Sequence, residues 1–167
     1  MRRQRGFTMI ELIVYLGIAS IALLVFFGFA SNVMQSAARA KTASDVQENA
    51  RVIMSRITHD IRTTDTATVS GSKLELTKAT GGIPTKTCYG LDLLNPDVAL
   101  YGTCGTVGCV CTASTAISDK TVKVTTLSFS QAAPQIIVNI SVEPRVAGTA
   151  DPVTLSTTVV PRSEIFK

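Results

Sequence analysis

A long apolar run close to the N-terminus is the feature that most constrains this chain. The segment Phe7–Ala30 contains one charged residue, Glu11, and follows a short basic stretch with Arg2, Arg3 and Arg5. As a helix rising about 1.5 Å per residue, it is about 36 Å long, enough to cross a hydrocarbon core of about 30 Å. The arginines before the run predict a cytoplasmic N-terminus and export of the remaining chain.

Glu11 needs a separate explanation, because a carboxylate within a membrane span costs about 2.5–3.5 kcal/mol on insertion scales. One interpretation gives it a functional partner. The other places it, four residues after Phe7, near enough to the cytoplasmic interface to stay hydrated. The surrounding residues favour the first interpretation, since Gly6-Phe7-Thr8-Met9-Ile10-Glu11 resembles the class III signal of type IV prepilins and pseudopilins. That signal is a short basic leader ending in Gly, then Phe, then Glu as the fifth mature residue.

The resemblance implies a maturation step and an assembly role. A membrane-bound prepilin peptidase is expected to cut between Gly6 and Phe7 and to N-methylate the new amine of Phe7. Glu11 is then expected to face the Phe7 ammonium of a neighbouring subunit, because opposite charges at low dielectric attract strongly once they are brought together. The main alternative is a secretory peptide that is removed entirely. The length of the apolar run and the Gly-Phe junction argue against it.

An amphipathic pattern continues after the apolar run. Apolar residues recur at three- and four-residue steps: Val33, Ala37, Ala40, Ala43/Val46, Ala50, Ile53, Ile57 and Ile61. Because neither Pro nor Gly occurs from Ser31 to Thr68, we predict one helix from about Phe7 to about Arg62, spanning about 80 Å. Its first half is expected to pack in lipid or in a filament. Its Val46–Ile61 face is expected to pack against a sheet.

The chain after the helix has the composition and alternation of β-strands. Thr66–Ser70 and Lys73–Thr77 predict a hairpin around Gly71-Ser72, and Thr80–Pro84 breaks the pattern. Further strands are predicted at Asp97–Gly102, Thr121–Ser130, Gln135–Glu143 and Val153–Val160. The predicted class is therefore α+β, a long N-terminal helix on an antiparallel sheet. Four regions follow: a cleaved leader (1–6), a transmembrane or filament-core helix (7–30), its amphipathic continuation (31–62) and an exported β-rich domain (63–167).

Four cysteines, Cys88, Cys104, Cys109 and Cys111, lie close together in the exported part. An even number in an exported domain favours two disulfides. A bridge between Cys109 and Cys111 would be strained, which leaves two pairings open: 104–109 with 88–111, or 88–109 with 104–111. A four-cysteine zinc site is the alternative, and the spacing fits it poorly, so we predict no metal. The loop Cys88–Cys111 is the candidate for a variable recognition surface.

The sequence offers little material for catalysis. His59 is the single histidine and lies beside Asp60 on the predicted helix, where a solvated or packed side chain is expected. No Gly-rich phosphate loop or histidine-bearing metal spacing occurs in the sequence. Asp92, Asn95 and Asp97 predict an Asx-type turn around Pro96, with calcium binding as the alternative that related pseudopilins suggest. We therefore predict a protein that is not an enzyme and needs no cofactor.

Charge and aromatic content do not favour nucleic-acid binding. The formal net charge of +4 falls to +1 once the three leader arginines are removed. Tyr89, Tyr101 and Phe129 are too few and too scattered for a base-stacking platform.

The resemblance gives a functional hypothesis. It implies a minor pilin or pseudopilin of a type IV pilus or type II secretion pseudopilus, a single-pass membrane protein with a cytoplasmic leader. Its expected partners are prepilin peptidase, other pilins or pseudopilins and an inner-membrane platform protein, with a cytoplasmic ATPase elsewhere. Residues 53–62 and 157–163 resemble J-type type II secretion pseudopilins and W-type minor pilins. The alternative is a pilus-tip binding module for adhesion or DNA uptake that uses the Cys88–Cys111 loop.

Overall fold

Helix α1 is the first element of the computed structural model, which describes residues 8–80, 83–92, 97–105, 114–146 and 148–162. It spans Met9–Thr63, so the predicted long helix is confirmed, although Phe7 lies outside the described residues. Thr8 caps its start: the Thr8 carbonyl accepts the N–H of Leu12 at 3.3 Å, and its Oγ1 accepts the N–H of Glu11 at 3.4 Å. Thr8-x-x-Glu11 is thus a capping-box sequence, in which the Thr8 side chain accepts the Glu11 N–H.

The chain forms two compact units, Met1–Ala40 and Lys41–Lys167. In the first, the large apolar side chains of the helix are exposed, from Met9 (84%) to Phe29 (67%). The hydroxyls of Ser20 and Ser31 donate to the carbonyls of Leu16 and Phe27, each at 2.6 Å. Both hydroxyls therefore have hydrogen-bond acceptors within the helix. By length and composition, α1 could cross a membrane.

The described residues of the second unit form eight strands in two antiparallel sheets. Sheet A has the order β1-β2-β3-β4-β5. Its strands are β1 Thr66–Ser70, β2 Lys73–Thr80, β3 Ile83–Leu91, β4 Ala99–Cys104 and β5 Thr115–Ala116. Sheet B has the order β6-β7-β8, with β6 Val122–Ala132, β7 Gln135–Pro144 and β8 Val153–Val159. The predicted α+β class is confirmed, with two sheets where the sequence predicted one.

Sheet A departs most from the prediction. The first hairpin is confirmed, with Gly71 at φ 61° in its turn, a conformation that glycine adopts without strain. The predicted break at Thr80–Pro84 is longer than the observed one, because β2 ends at Thr80 but β3 already begins at Ile83, and Pro84 lies opposite Ala79 in the ladder. On its other side β3 pairs with β4 only from Lys86 onward, so among the described strands Pro84 is bonded on one side, where proline is tolerated. The strand predicted at Asp97 starts two residues later, at Ala99, and β5 was not predicted.

Sheet B confirms the three predicted strands to within two residues at each end. Its first strand carries a β-bulge, because the β6–β7 register shifts between Val124 and Thr126. An extra residue moves the following side chains to the opposite face. Val122 and Val124 before the bulge, and Leu127 and Phe129 after it, are consequently all buried.

The core of the second unit joins α1 to both sheets in one apolar cluster. Val46, Ala50, Ile53, Ile57 and Ile61 of the helix are each at most 1% exposed. They belong to the cluster with residues from six of the strands: Leu74, Leu76, Tyr89, Ala99, Val122, Val124, Leu127, Phe129, Ile136, Val138, Ile140, Val142 and Val159. The predicted buried face is therefore confirmed from Val46 onward. The earlier part of the predicted stripe, Val33, Ala37 and Ala40, is exposed.

Tertiary hydrogen bonds, rather than a glycine or proline, mark the end of α1. Thr64 is 2% exposed, and its hydroxyl donates to the Thr77 carbonyl at 2.8 Å. The N–H of Asp65 donates to the same carbonyl at 3.1 Å, and Asp65 Oδ2 accepts the N–H of Ala79 at 2.8 Å. The backbone of β2 thus provides partners that favour leaving the helix at this point.

Truncating the buried helix face should destabilise the second unit strongly. Ile57→Ala removes a side chain that is 0% exposed, and we expect the free energy of unfolding to fall by about 3 kcal/mol. Val52→Ala is the matched control, since Val52 is 57% exposed on the same helix and should change stability by about 0.5 kcal/mol or less. Urea unfolding of the purified chain in detergent, followed by circular dichroism, measures both. Equal losses would contradict the assigned core face.

Candidate functional site

Two of the three residues of the predicted maturation site lie outside the described part of the chain. Gly6 and Phe7 are not among the described residues, so cleavage and methylation there stay predictions. Glu11 is described: it is exposed in the first turn of α1, and its N–H is bound by Thr8 Oγ1. A carboxylate near a helix N-terminus interacts favourably with the helix dipole. Glu11 therefore has a local stabilising role beside its predicted role in assembly.

The surface that follows Glu11 is apolar around the helix. Leu12, Leu16 and Leu23 are each more than half exposed, as are Phe26 and Phe27. No atom would lie within 4 Å of a Cβ placed on the two glycines of this segment, Gly17 and Gly28. A helix that is hydrophobic all round is normally covered by other helices or by lipid. Its exposure in a single copy identifies it as the candidate assembly and membrane surface.

Cys88 and Cys104 lie on the face of sheet A opposite to its core face. Cys88 stands directly across from Gly102, and Cys104 from Lys86, while Tyr89 next to Cys88 is fully buried in the core. Because side chains alternate along a strand, Cys88 and Cys104 share the outer face. Neither is a free thiol. Cys109 and Cys111 are outside the described residues, so the pairing of the four cysteines stays a prediction.

The acidic loop considered for calcium is described in part. The N–H of Asp92 donates to the Val98 carbonyl at 3.0 Å, which brings the two ends of the β3–β4 connection together. Asp97 Oδ1 is 3.6 Å from Nζ of Lys123. Asn95 and Pro96 are outside the described residues, so the predicted Asx turn and its calcium alternative stay untested.

A polar cluster that the sequence did not predict joins the helix to sheet A. The Tyr89 hydroxyl donates a hydrogen bond to Asp60 Oδ2. One turn earlier on the helix, the Arg56 guanidinium carbon lies 4.0 Å from the ring centroid of Tyr101, a cation–π geometry. The rings of Tyr89 and Tyr101, opposite each other on β3 and β4, stack with centroids 6.4 Å apart. We call Arg56, Asp60, Tyr89 and Tyr101 the helix–sheet latch.

The latch alters the acidity of Tyr89. Burial of the phenol, its hydrogen bond to Asp60 and the negative charge of Asp60 raise the pKa of Tyr89 well above its usual range. The positive charge of Arg56 opposes this effect without reversing it. Tyr89 therefore stays a neutral hydrogen-bond donor throughout the physiological pH range. Its role is to hold the helix at a defined position against the sheet.

His59 is exposed on α1, as predicted. It lies at a small cavity of about 170 Å³, whose lining includes Asp60, Lys78 and Thr87. Of these three lining residues, one is acidic, one is basic and one is neutral. This lining belongs to the polar rim of the helix–sheet contact.

Comparison with known proteins gives one sequence match and one fold match. The family model for the prokaryotic N-terminal methylation motif matches residues 1–27. Among solved structures, the fold is similar to a type IV-like pilin from Thermus thermophilus with a TM-score of 0.54, 7% sequence identity, and coverage of 70% of this chain and 97% of that chain. No curated protein sequence matches significantly. The motif and the fold agree with the two features predicted from the N-terminal sequence and the α+β pattern.

The latch should contribute measurably to stability. Tyr89→Phe leaves the Asp60 carboxylate without this donor, and we expect it to lower the free energy of unfolding by about 1–3 kcal/mol. Asp60→Asn is the matched variant, because it keeps an acceptor oxygen and should cost less than Tyr89→Phe. The pH dependence gives a second readout. A tyrosine whose pKa is raised in the folded state contributes stability that is present below pH of about 10 and is lost as pH rises further.

The slope of the free energy of unfolding against pH distinguishes the effect of the Tyr89 proton from the effect of Tyr89 packing. Above pH of about 10 the folded chain should hold one proton more than the unfolded chain, so stability should fall by about 1.4 kcal/mol per pH unit. Tyr89→Phe should remove this part of the slope. Urea unfolding between pH 9 and 11 measures it for both proteins. Identical slopes would show that Tyr89 is not the group responsible.

Proposed function

We propose that this type IV pilin-like chain is a structural subunit of a filament that assembles from a membrane-anchored precursor. The proposal is supported by the coincidence, in one chain, of the N-terminal methylation motif over residues 1–27 and the pilin-like α+β fold. The motif provides a processing signal and an anchor, and the fold provides a globular domain for export. The role is structural rather than enzymatic.

The physical argument concerns where the apolar surface of α1 is covered. Side chains such as Leu24 (73% exposed) and Phe27 (64% exposed) are compatible with lipid before assembly. They are equally compatible with the helices of like subunits afterwards, because lipid tails are about as apolar as leucine side chains. The apolar surface therefore allows the subunit to leave the membrane for a filament at little cost in hydrophobic free energy.

Glu11 is proposed to make assembly selective. In lipid a lone carboxylate is costly, and a countercharge in low dielectric relieves that cost. After cleavage between Gly6 and Phe7, the new Phe7 amine of a neighbouring subunit provides such a charge. In this proposal Glu11 sets the axial register between neighbours, while Thr8 holds its backbone in the first turn.

The finer role we propose is that of a minor pilin or pseudopilin with a cytoplasmic leader and an exported C-terminal domain. Its partners are then prepilin peptidase, other pilins or pseudopilins, and an inner-membrane platform protein. The resemblance of residues 53–62 and 157–163 supports the J-type or W-type classes.

A second candidate function is binding through the Cys88–Cys111 loop. The observation in its favour is that Cys88 and Cys104 lie on the face of sheet A away from the helix. The segment includes the end of β3, all of β4 and the core residues Tyr89 and Ala99. The proposed recognition surface is therefore formed by its outward-facing positions. In this hypothesis the chain is a tip element for adhesion or DNA uptake, and its fold is the scaffold for the loop.

Processing can be tested by substitution at the predicted cleavage site. Gly6→Val should leave Met1–Gly6 attached and Phe7 unmethylated, because it replaces the glycine that ends the leader in the motif. Gly17→Ala is the matched control, since a Cβ there meets nothing within 4 Å, and it should be processed normally. Intact-mass measurement of the protein expressed with a prepilin peptidase reads both. Normal maturation of Gly6→Val would contradict the leader assignment.

Assembly can be tested at Glu11. Glu11→Gln keeps the size of the side chain and removes its charge, so we expect normal membrane insertion and at least about a tenfold loss of subunit in sheared filaments. Glu48→Gln removes a charge from an exposed position farther along the same helix and should leave assembly unchanged. Membrane and filament fractions are quantified by immunoblot. Wild-type filament content in Glu11→Gln would remove the register role.

A further inference from the structure

Strand β8 presents an outer edge that no described strand pairs with. It is the last strand in the order β6-β7-β8, and all seven of its residues are paired with β7 on the inner side without a register shift. The other sheet edges differ in part: β5 has two residues, and β1 and β6 contact each other without pairing into one sheet. Within the described chain, β8 therefore offers a seven-residue edge to another strand.

The sequence of β8 lacks the usual protection of an open edge. Val153–Val159 reads Val-Thr-Leu-Ser-Thr-Thr-Val and contains no charge, proline or glycine. Natural proteins commonly protect such edges with charged residues, prolines or bulges. Five of the seven residues are β-branched, which favours strand pairing. The edge is thus suited to continue its sheet into another molecule.

The residues that flank β8 indicate the orientation of the pairing. Asp151 lies two residues before the strand and Arg162 three residues after it, and both side chains are exposed. In an antiparallel pair of identical strands, the beginning of each lies beside the end of the other. Asp151 of one copy then approaches Arg162 of the second, and the same contact recurs at the other end. A parallel pair would instead place like charges together, which is unfavourable.

The faces of the strand define the register. Thr154, Ser156 and Thr158 are exposed on one face, whereas Val159 is buried on the other. Pairing has to place exposed residues opposite exposed residues, because a shift of one residue would exchange the faces. Full overlap of Val153–Val159 with itself then places Ser156 opposite Ser156 on a twofold axis. Thr154 faces Thr158 on either side of it.

We propose that two copies of this chain associate through their β8 edges in this antiparallel register, so that their sheets B join into one sheet. The contact is isologous, since the same edge serves both copies. It goes beyond the proposed filament role, because it uses residues 151–162 and requires neither Glu11 nor processing at Gly6.

Charges placed at Ser156 provide a specific test. The full chain in detergent is compared as wild type, Ser156→Lys, Ser156→Glu and an equimolar mixture of the two variants. Like charges on the twofold axis should weaken self-association of each variant by about tenfold, and opposite charges in the mixture should restore it. Native mass spectrometry distinguishes the mixed dimer from either homodimer by mass. Because every sample carries the same α1, association through the apolar helix cannot produce a preference for the mixed pair.

Two controls complete the experiment. Ser130→Lys adds the same charge at an exposed position of β6 and should dimerise like wild type. Asp151→Arg alone should weaken the dimer, and Asp151→Arg combined with Arg162→Asp should restore it. A monomeric wild type, a Ser156→Lys variant that dimerises like wild type, or a mixture without mixed dimers would each overturn the proposal. Failure of Glu11→Gln to impair filaments would bear on the proposed function alone.

Discussion

Residues 41–167 depend on the burial of one face of one helix. Ile53, Ile57 and Ile61 follow each other at four-residue intervals and are each at most 1% exposed. Burying an isoleucine side chain contributes about 1.5–3 kcal/mol, so rotating the helix away from the sheets would remove several such contributions together. Apolar contacts are non-directional, however, and fix the burial of the face better than its position along the sheet. The latch fixes the position of the helix along the sheet. Asp60 accepts a hydrogen bond from the Tyr89 hydroxyl on β3, and the Arg56 guanidinium lies over the Tyr101 ring on β4.

The N-terminal part of the same helix has no covered face in a single copy. From Met9 to Phe29 its apolar side chains are exposed, and its serine hydroxyls are bonded to its own backbone. Such a surface distinguishes weakly between lipid and the helices of other subunits. In the proposed function, the group that does distinguish them is Glu11, because a carboxylate gains from a neighbouring ammonium and gains nothing from a lipid tail. One acid thus provides selectivity that a much larger apolar surface lacks.

The sequence predicted those parts of the fold whose signals are local. The three- and four-residue spacing predicted α1, Gly71 marked the first hairpin, and alternation predicted the strands of sheet B. Strand β3 was missed because Pro84 argues against a strand, and its tolerance depends on how far β4 extends beside it. The latch was missed because Asp60 and Tyr89 are 29 residues apart in sequence, and no local sequence pattern predicts that they are in contact. The start of α1 also has a local signal, the Thr8-x-x-Glu11 capping box.

The candidate sites also differ in whether the local sequence was enough to identify them. Glu11 could be identified from its neighbours in the sequence, because a carboxylate in an apolar run is unusual wherever the run is placed. The sequence could not predict that Cys88 and Cys104 share one face of sheet A. This arrangement follows from the β3–β4 register, which pairs Cys88 with Gly102. That register places Cys88 and Cys104 on the face opposite Tyr89, where Cys88 is only 2% exposed and Cys104 is half-buried. Tyr89, Ala99 and Tyr101 lie between Cys88 and Cys111 and contribute to the core or to the latch. Only the outward-facing positions of this segment can therefore change in sequence without a cost to the buried helix face.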